Sequence, residues 1–171
     1  FGENKVQELV KKKEELPDDI QWHMIGHLQT NKVKHIAPFI SLIHAVDSFK
    51  LIKEINKRAE QNNRIIDCLL QVHIATESTK FGFDINEIEN AIKEFNKFKN
   101  INIKGLMGMA TFTNNTEQIN NEFKKISLLF KKVKTNTLNT LSIGMSGDYK
   151  LAINNGSTMI RVGSAIFGER N

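Results

Sequence analysis

Ile65-Ile66-Asp67-Cys68-Leu69-Leu70-Gln71-Val72-His73-Ile74 is a near-continuous apolar run, the pattern of a strand covered on both faces. The period then changes. Asp84 and Glu87 form a capping-box pair, and Ile85, Ile88, Ile92 and Phe95 recur at helical steps, so a helix follows with that face inward. A strand over 101–110 comes next, then a long helix marked by Ile119, Phe123, Ile126, Phe130 and Val133. Strand and helix in this order imply parallel strands joined by right-handed crossovers.

The same alternation extends both ways from this centre. Towards the C-terminus come a strand over 141–145, a short helix capped by Asp148 and ended by Gly156, and a last strand over 159–162. Towards the N-terminus, a strand over 41–46 precedes a helix capped by Ser48, with Leu51, Ile52, Ile55 and Ala59 inward. Before it lie a helix from about Asn31 to Pro38 and a strand over 20–25. The first helix starts at Asn4, boxed by Gln7, and buries Val6, Leu9 and Val10.

An open doubly wound sheet and a closed barrel both satisfy this alternation. The sequence contains neither a G-x-G-x-x-G nor a P-loop, the fingerprints of the common nucleotide-binding open sheets. Polar or glycine residues instead follow nearly every strand: Asn4, Gly26-His27, Asp47-Ser48, Thr76-Glu77, Thr111, Ser146-Gly147-Asp148 and Gly163-Ser164. A site fed by most strand ends is how barrels build function. The expectation is an α/β protein, a parallel TIM-type barrel, with residues 1–171 as one domain.

Composition narrows the functional classes. The chain has 171 residues, 40% of them hydrophobic, enough for a core without staples. Its single cysteine, Cys68, lies in the apolar run and reads as a buried thiol in a reducing compartment. No apolar stretch reaches the ~18 residues of a membrane span, and no signal peptide is evident, so a cytoplasmic location is expected. The net charge of +5 comes from lysines spread along helices, as at Lys11-Lys12-Lys13 and Lys124-Lys125, without interleaved aromatics. A solvated surface is expected there, and no nucleic acid partner.

Chemistry concentrates at the last two strand ends. Barrels often bind phosphate after their seventh and eighth strands, through backbone N–H groups and hydroxyls. Ser146, Gly163 and Ser164 offer that chemistry, or they are ordinary turn residues beside a helix. Arg161 stands between Ile160 and Val162 in a strand whose faces should both be covered. It must pair with a structural carboxylate or face a ligand atom that accepts hydrogen bonds. Of the histidines His23, His27, His35, His44 and His73, three lie on successive strands, but none shows metal-ligand spacing with a carboxylate in register. No metal is expected, and His23 reads as a hydrogen bonder behind the ligand. Lys80, between Thr79 and Phe81, reads as a solvated loop lysine.

Taken in order, several long stretches resemble one family. They are Phe1-Gly2-Glu3-Asn4, Trp22-His23-Met24-Ile25-Gly26-His27-Leu28-Gln29-Thr30-Asn31-Lys32, Lys80-Phe81-Gly82-Phe83, Gly105-Leu106-Met107, Leu141 through Asp148, and Gly156 through Gly168. Together they are similar to the pyridoxal phosphate homeostasis proteins, along the whole chain and in the family's order. The resemblance implies the fold of the alanine racemase N-terminal barrel and pyridoxal phosphate as cofactor. It implies that Ser146, Gly163 and Ser164 grip the phosphate, Arg161 faces the pyridine nitrogen, Asn4 and His23 line the pocket, and Met145 packs near the ring. No catalytic residue is implied.

An arginine at that nitrogen keeps it unprotonated and weakens the ring as an electron sink. Racemases on this barrel add a β-rich domain with a catalytic tyrosine, whereas the only tyrosine here, Tyr149, begins a helix. The resemblance therefore implies a carrier or regulator of free cofactor with no established turnover. Pyridoxal phosphate-dependent enzymes are the expected partners, and a monomer is expected when the protein is complete. The family's Schiff-base lysine lies on a strand upstream of the Phe-Gly-Glu-Asn motif. The expectation is thus an eight-stranded barrel lacking its first β/α unit here. Two other readings stay open: a racemase-like pyridoxal phosphate enzyme, and a barrel enzyme of sugar phosphates. Lys104 is the nearest candidate catalytic lysine for the latter.

Overall fold

The computed structural model describes residues 1–77 and 81–168. Among the described residues seven strands form one sheet: β1 (Gly2–Glu3), β2 (His23–Met24), β3 (Leu42–Val46), β4 (Ile66–Val72), β5 (Ile101–Gly108), β6 (Thr140–Met145) and β7 (Met159–Arg161). All pair in parallel and in chain order. That order decides between the two topologies left open by the alternation. A doubly wound sheet reverses its strand order at a switch point, and this sheet has no reversal, so it is a nearly closed parallel barrel. Among the same described residues, α-helices alternate with the strands: α1 (Val6–Glu15), α2 (Val33–Ile36), α3 (Phe49–Gln61), α4 (Ile88–Phe95), α5 (Thr116–Val133), α6 (Tyr149–Asn154) and α7 (Ser164–Phe167).

Alternate strand side chains feed two apolar layers, because successive residues point to opposite faces. Ile43, Val46, Cys68, Leu70, Val72, Leu106 and Ile143 pack under the helices with Leu51, Ile52, Ile55, Phe123 and Ile126. Leu42, Ala45, Leu69 and Met107 form a second cluster, joined by Met109 and Met159. This double burial is why 65–74 reads as apolar almost throughout.

Most local signals act as the sequence implies. The Ser48 hydroxyl accepts from the Leu51 N–H at 3.3 Å and starts α3, and α5 buries Ile119, Phe123, Ile126 and Phe130. Gly156, with φ +84°, follows the C-cap of α6. Three signals act differently. Asp84 and Glu87 close a turn ahead of α4, which starts at Ile88 after Glu87 with no side-chain cap. Helix α1 begins at Val6 after Lys5 with no side-chain cap, so the Asn4–Gln7 box does not form. The main chain at Asn4 packs instead on Gly26, where an added Cβ would lie 2.3 Å from the Asn4 carbonyl oxygen. Asp148 precedes α6 but does not cap it. Its carboxylate accepts from the Met145 N–H at 2.6 Å and closes the turn after β6.

Candidate functional site

The end of β6 and the end of β7 meet at one oxygen. Ser146 Oγ accepts from the N–H of Gly163 at 3.1 Å and of Ala165 at 3.4 Å. Two main-chain donors thus converge on a hydroxyl, at a place with room around it: a Cβ on Gly163 would meet nothing within 4 Å. Main-chain donors converging in this way suit an anionic oxygen, with a bond stronger than the one the hydroxyl now receives. The hydroxyl of Ser164 lies exposed beside them. Of the three expected phosphate residues, Ser146 and Gly163 are joined directly. The sequence reading missed the Ala165 amide, which no side-chain pattern reports.

Arg161 lies across the register from Met145 in the β6–β7 pair. Its Nη1 donates to the Ser142 carbonyl at 2.8 Å and to Ser142 Oγ at 2.7 Å, and its Nη2 to the Gly108 carbonyl at 3.1 Å. These acceptors are neutral oxygens, not the structural carboxylate weighed as one alternative. Burial draws the guanidinium down to about 10, opposed by the Asp148 carboxylate. It remains a cation at neutral pH. A guanidinium carries five N–H donors. Three bonds to the protein leave at least two to offer a ligand.

His23 and His44 complete the cluster. His44 Nδ1 lies 3.1 Å from Ser142 Oγ, and His44 Nε2 lies 3.2 Å from His23 Nδ1. Burial, then the neighbouring His23 and Arg161, push His44 down to about 3. Burial also lowers His23. Both rings are neutral at pH 7. The two expected site residues His23 and Arg161 are therefore joined through His44 and Ser142, which the sequence reading did not single out. The signal was present: each is a polar residue inside an apolar strand, the same irregularity that marks Arg161.

Asn4 stands apart, at the ends of β1 and β2. It borders a cleft of about 260 Å³ with Lys5, Gln7, His27, Gln29 and Lys32. There His27 Nδ1 lies 3.0 Å from Asp47 Oδ2, and the ring stacks on Phe81 at 3.9 Å. Another polar knot ties β4 to β5. The buried Glu122 accepts from the N–H and the hydroxyl of Thr111, both at 2.7 Å, and the Thr76 N–H donates to Thr111 Oγ1 at 3.2 Å. Lys104 sits at the other end of the strands, 3.8 Å from Asp67, far from the chemistry a sugar-phosphate enzyme would need. Lys80 lies outside the described residues. Among the described residues no cluster of three His, Cys, Asp or Glu could hold a metal, and no helix is long and apolar enough to cross a membrane.

The alanine racemase N-terminal domain family matches residues 1–171. The pyridoxal phosphate homeostasis protein of Aquifex aeolicus is 39% identical over 174 residues, covering 99% of this chain and 76% of that protein. Its counterpart in Schizosaccharomyces pombe is 38% identical, over 99% of this chain and 74% of that one. Among solved structures, PipY of Synechococcus elongatus with pyridoxal phosphate bound superposes with a TM-score of 0.86 and 31% identity, over 98% of this chain and 81% of that chain. The alanine racemase of Clostridium difficile superposes at 0.78 with 15% identity, over 99% of this chain and 44% of that chain, a likeness of fold.

Proposed function

The chain belongs to the alanine racemase N-terminal domain family, and from that premise we propose that it is a pyridoxal phosphate-binding protein of cofactor homeostasis. The observation that carries this reading is the oxygen of Ser146 seated on the N–H groups of Gly163 and Ala165. A site that already holds one acceptor oxygen on main-chain donors can hold the oxygens of a phosphate. Ser146, Gly163 and Ser164 bind that group, and the remaining N–H groups of Arg161 face the pyridine nitrogen. His23 and Met145 line the ring, and Asn4 borders the mouth.

Bound pyridoxal phosphate supplies an aldehyde that reacts with amines and a ring that draws electrons. The cation at Arg161 opposes protonation of the ring nitrogen and so blunts that pull. This favours holding and delivering the cofactor to enzymes that use it over turning substrates over on it.

Titration of the protein with pyridoxal phosphate, followed by ring absorbance, tests the site. Replacing Ser146 and Ser164 together by alanine is expected to weaken binding by about 1–3 kcal/mol for each charge-assisted bond lost. Unchanged affinity would remove the assignment. No exchange of an amino acid α-proton above background is expected in deuterated water with cofactor present. Sustained exchange would make the protein an enzyme.

A further inference from the structure

The hydrogen bonds from Arg161 to His23 have a direction. Arg161 can only donate, so at 2.7 Å the Ser142 oxygen accepts from it. Ser142 is fully buried, and its own proton needs an acceptor. Among the described residues the one acceptor beside that hydroxyl is His44 Nδ1, at 3.1 Å. The opposite arrangement, with a proton on His44 Nδ1, would leave a buried hydroxyl proton unpaired.

His44 Nδ1 therefore accepts. Burial keeps the ring neutral, so its single proton sits on Nε2, which donates to His23 Nδ1 at 3.2 Å. By the same rule His23, neutral and accepting at Nδ1, carries its proton on Nε2. That nitrogen makes no hydrogen bond among the described residues, and His23 is only half-buried.

We propose that Arg161, Ser142, His44 and His23 form a one-way wire that presents His23 Nε2 to the ligand as an uncharged hydrogen-bond donor. His44 and Ser142 are then positioning residues. Their task is to fix which nitrogen of His23 bears the proton, and so to select a ligand whose facing atom accepts. An imidazolium at His23 would point Nδ1–H at the Nε2–H of His44, so the wire also resists charging of that ring. The ligand part rests on the cofactor reading above, whereas the proton order does not.

The ligand-free protein, labelled with nitrogen-15 histidine, tests the order directly. Long-range proton–nitrogen correlation at pH 7 is expected to show Nε2–H rings for both His44 and His23. A proton on His44 Nδ1 would overturn the wire whether or not cofactor binds. His44→Phe cuts the wire while filling its space. In it, His23 should revert to a mixture of tautomers and bind pyridoxal phosphate about fivefold to tenfold more weakly, the effect of one ordinary hydrogen bond. His44→Gln, whose amide can still donate to His23, should restore the single tautomer. A single Nε2–H tautomer of His23 in His44→Phe would show that the wire does not set it. Correct tautomers in a wild-type protein that fails to bind the cofactor would keep the wire and remove the cofactor reading.

Discussion

A Cβ on Gly105 in β5 would lie 1.7 Å from the carbonyl oxygen of Thr140 in β6, whereas one on Gly163, just past β7, would meet nothing within 4 Å. The two glycines mark two regions built on different terms. Around Gly105 nearly every position of the neighbouring β4 is buried, as are the four central positions of β6, and side chains of both faces make the core. Around Gly163 no residue of β7 is fully buried, and Ile166 and Phe167 of α7 are 67% and 74% exposed. Side chains carry the first region; main-chain N–H groups shape the second, and in the proposed function they hold the phosphate. A change in the first should register in folding, and a change in the second in binding.

Gly105→Ala should show the largest effect, a loss of about 3 kcal/mol or more in urea unfolding, because a backbone carbonyl cannot yield as a side chain would. A loss under ~1 kcal/mol would mean the strand pair separates easily and the contrast is false. Next comes acid sensitivity of the interior. His44 is held at about 3 when folded and returns to its ordinary 6.5 when unfolded. Between those values the unfolded chain binds the extra proton, so stability falls as pH falls, by at most about 1.4 kcal/mol per unit from this ring. The contribution is fully present above 6.5. His44→Phe should flatten that slope, and an unchanged slope would relocate the sensitivity. Ser146→Ala should leave unfolding within ~0.5 kcal/mol, since the Gly163 and Ala165 N–H groups can turn to water. It should nevertheless weaken cofactor binding by about 1–3 kcal/mol. The smallest expected effect is Gly163→Ala on folding, within ~0.5 kcal/mol. A large destabilisation there would show that the β7 end is packed after all.

Legibility in the sequence follows the same division. Strand β4 and helices α3 and α5 are readable because burial imposes a period on many residues at once. The barrel end is readable in part, because Ser146 and Gly163 carry their chemistry in their identity. The Ala165 amide is not, since every residue but proline owns one. The Asn4–Gln7 pair misled because a short polar residue before a helix can be claimed by tertiary packing, here against Gly26. Asp148 misled similarly, since its carboxylate reaches back to Met145. His44 and Ser142 needed the pairing of distant strands before their relation could be seen, 98 residues apart in the chain.

A protein that carries the cofactor, as proposed, must also unload it. When the ligand departs, the Ser146 hydroxyl is at hand to take back the N–H groups of Gly163 and Ala165. Loading and unloading then become an exchange of one acceptor for another, with no donor stranded on either side. In the proposed role, such a swap spares release the cost of an unpaired donor. A reactive aldehyde can then be sequestered without being trapped.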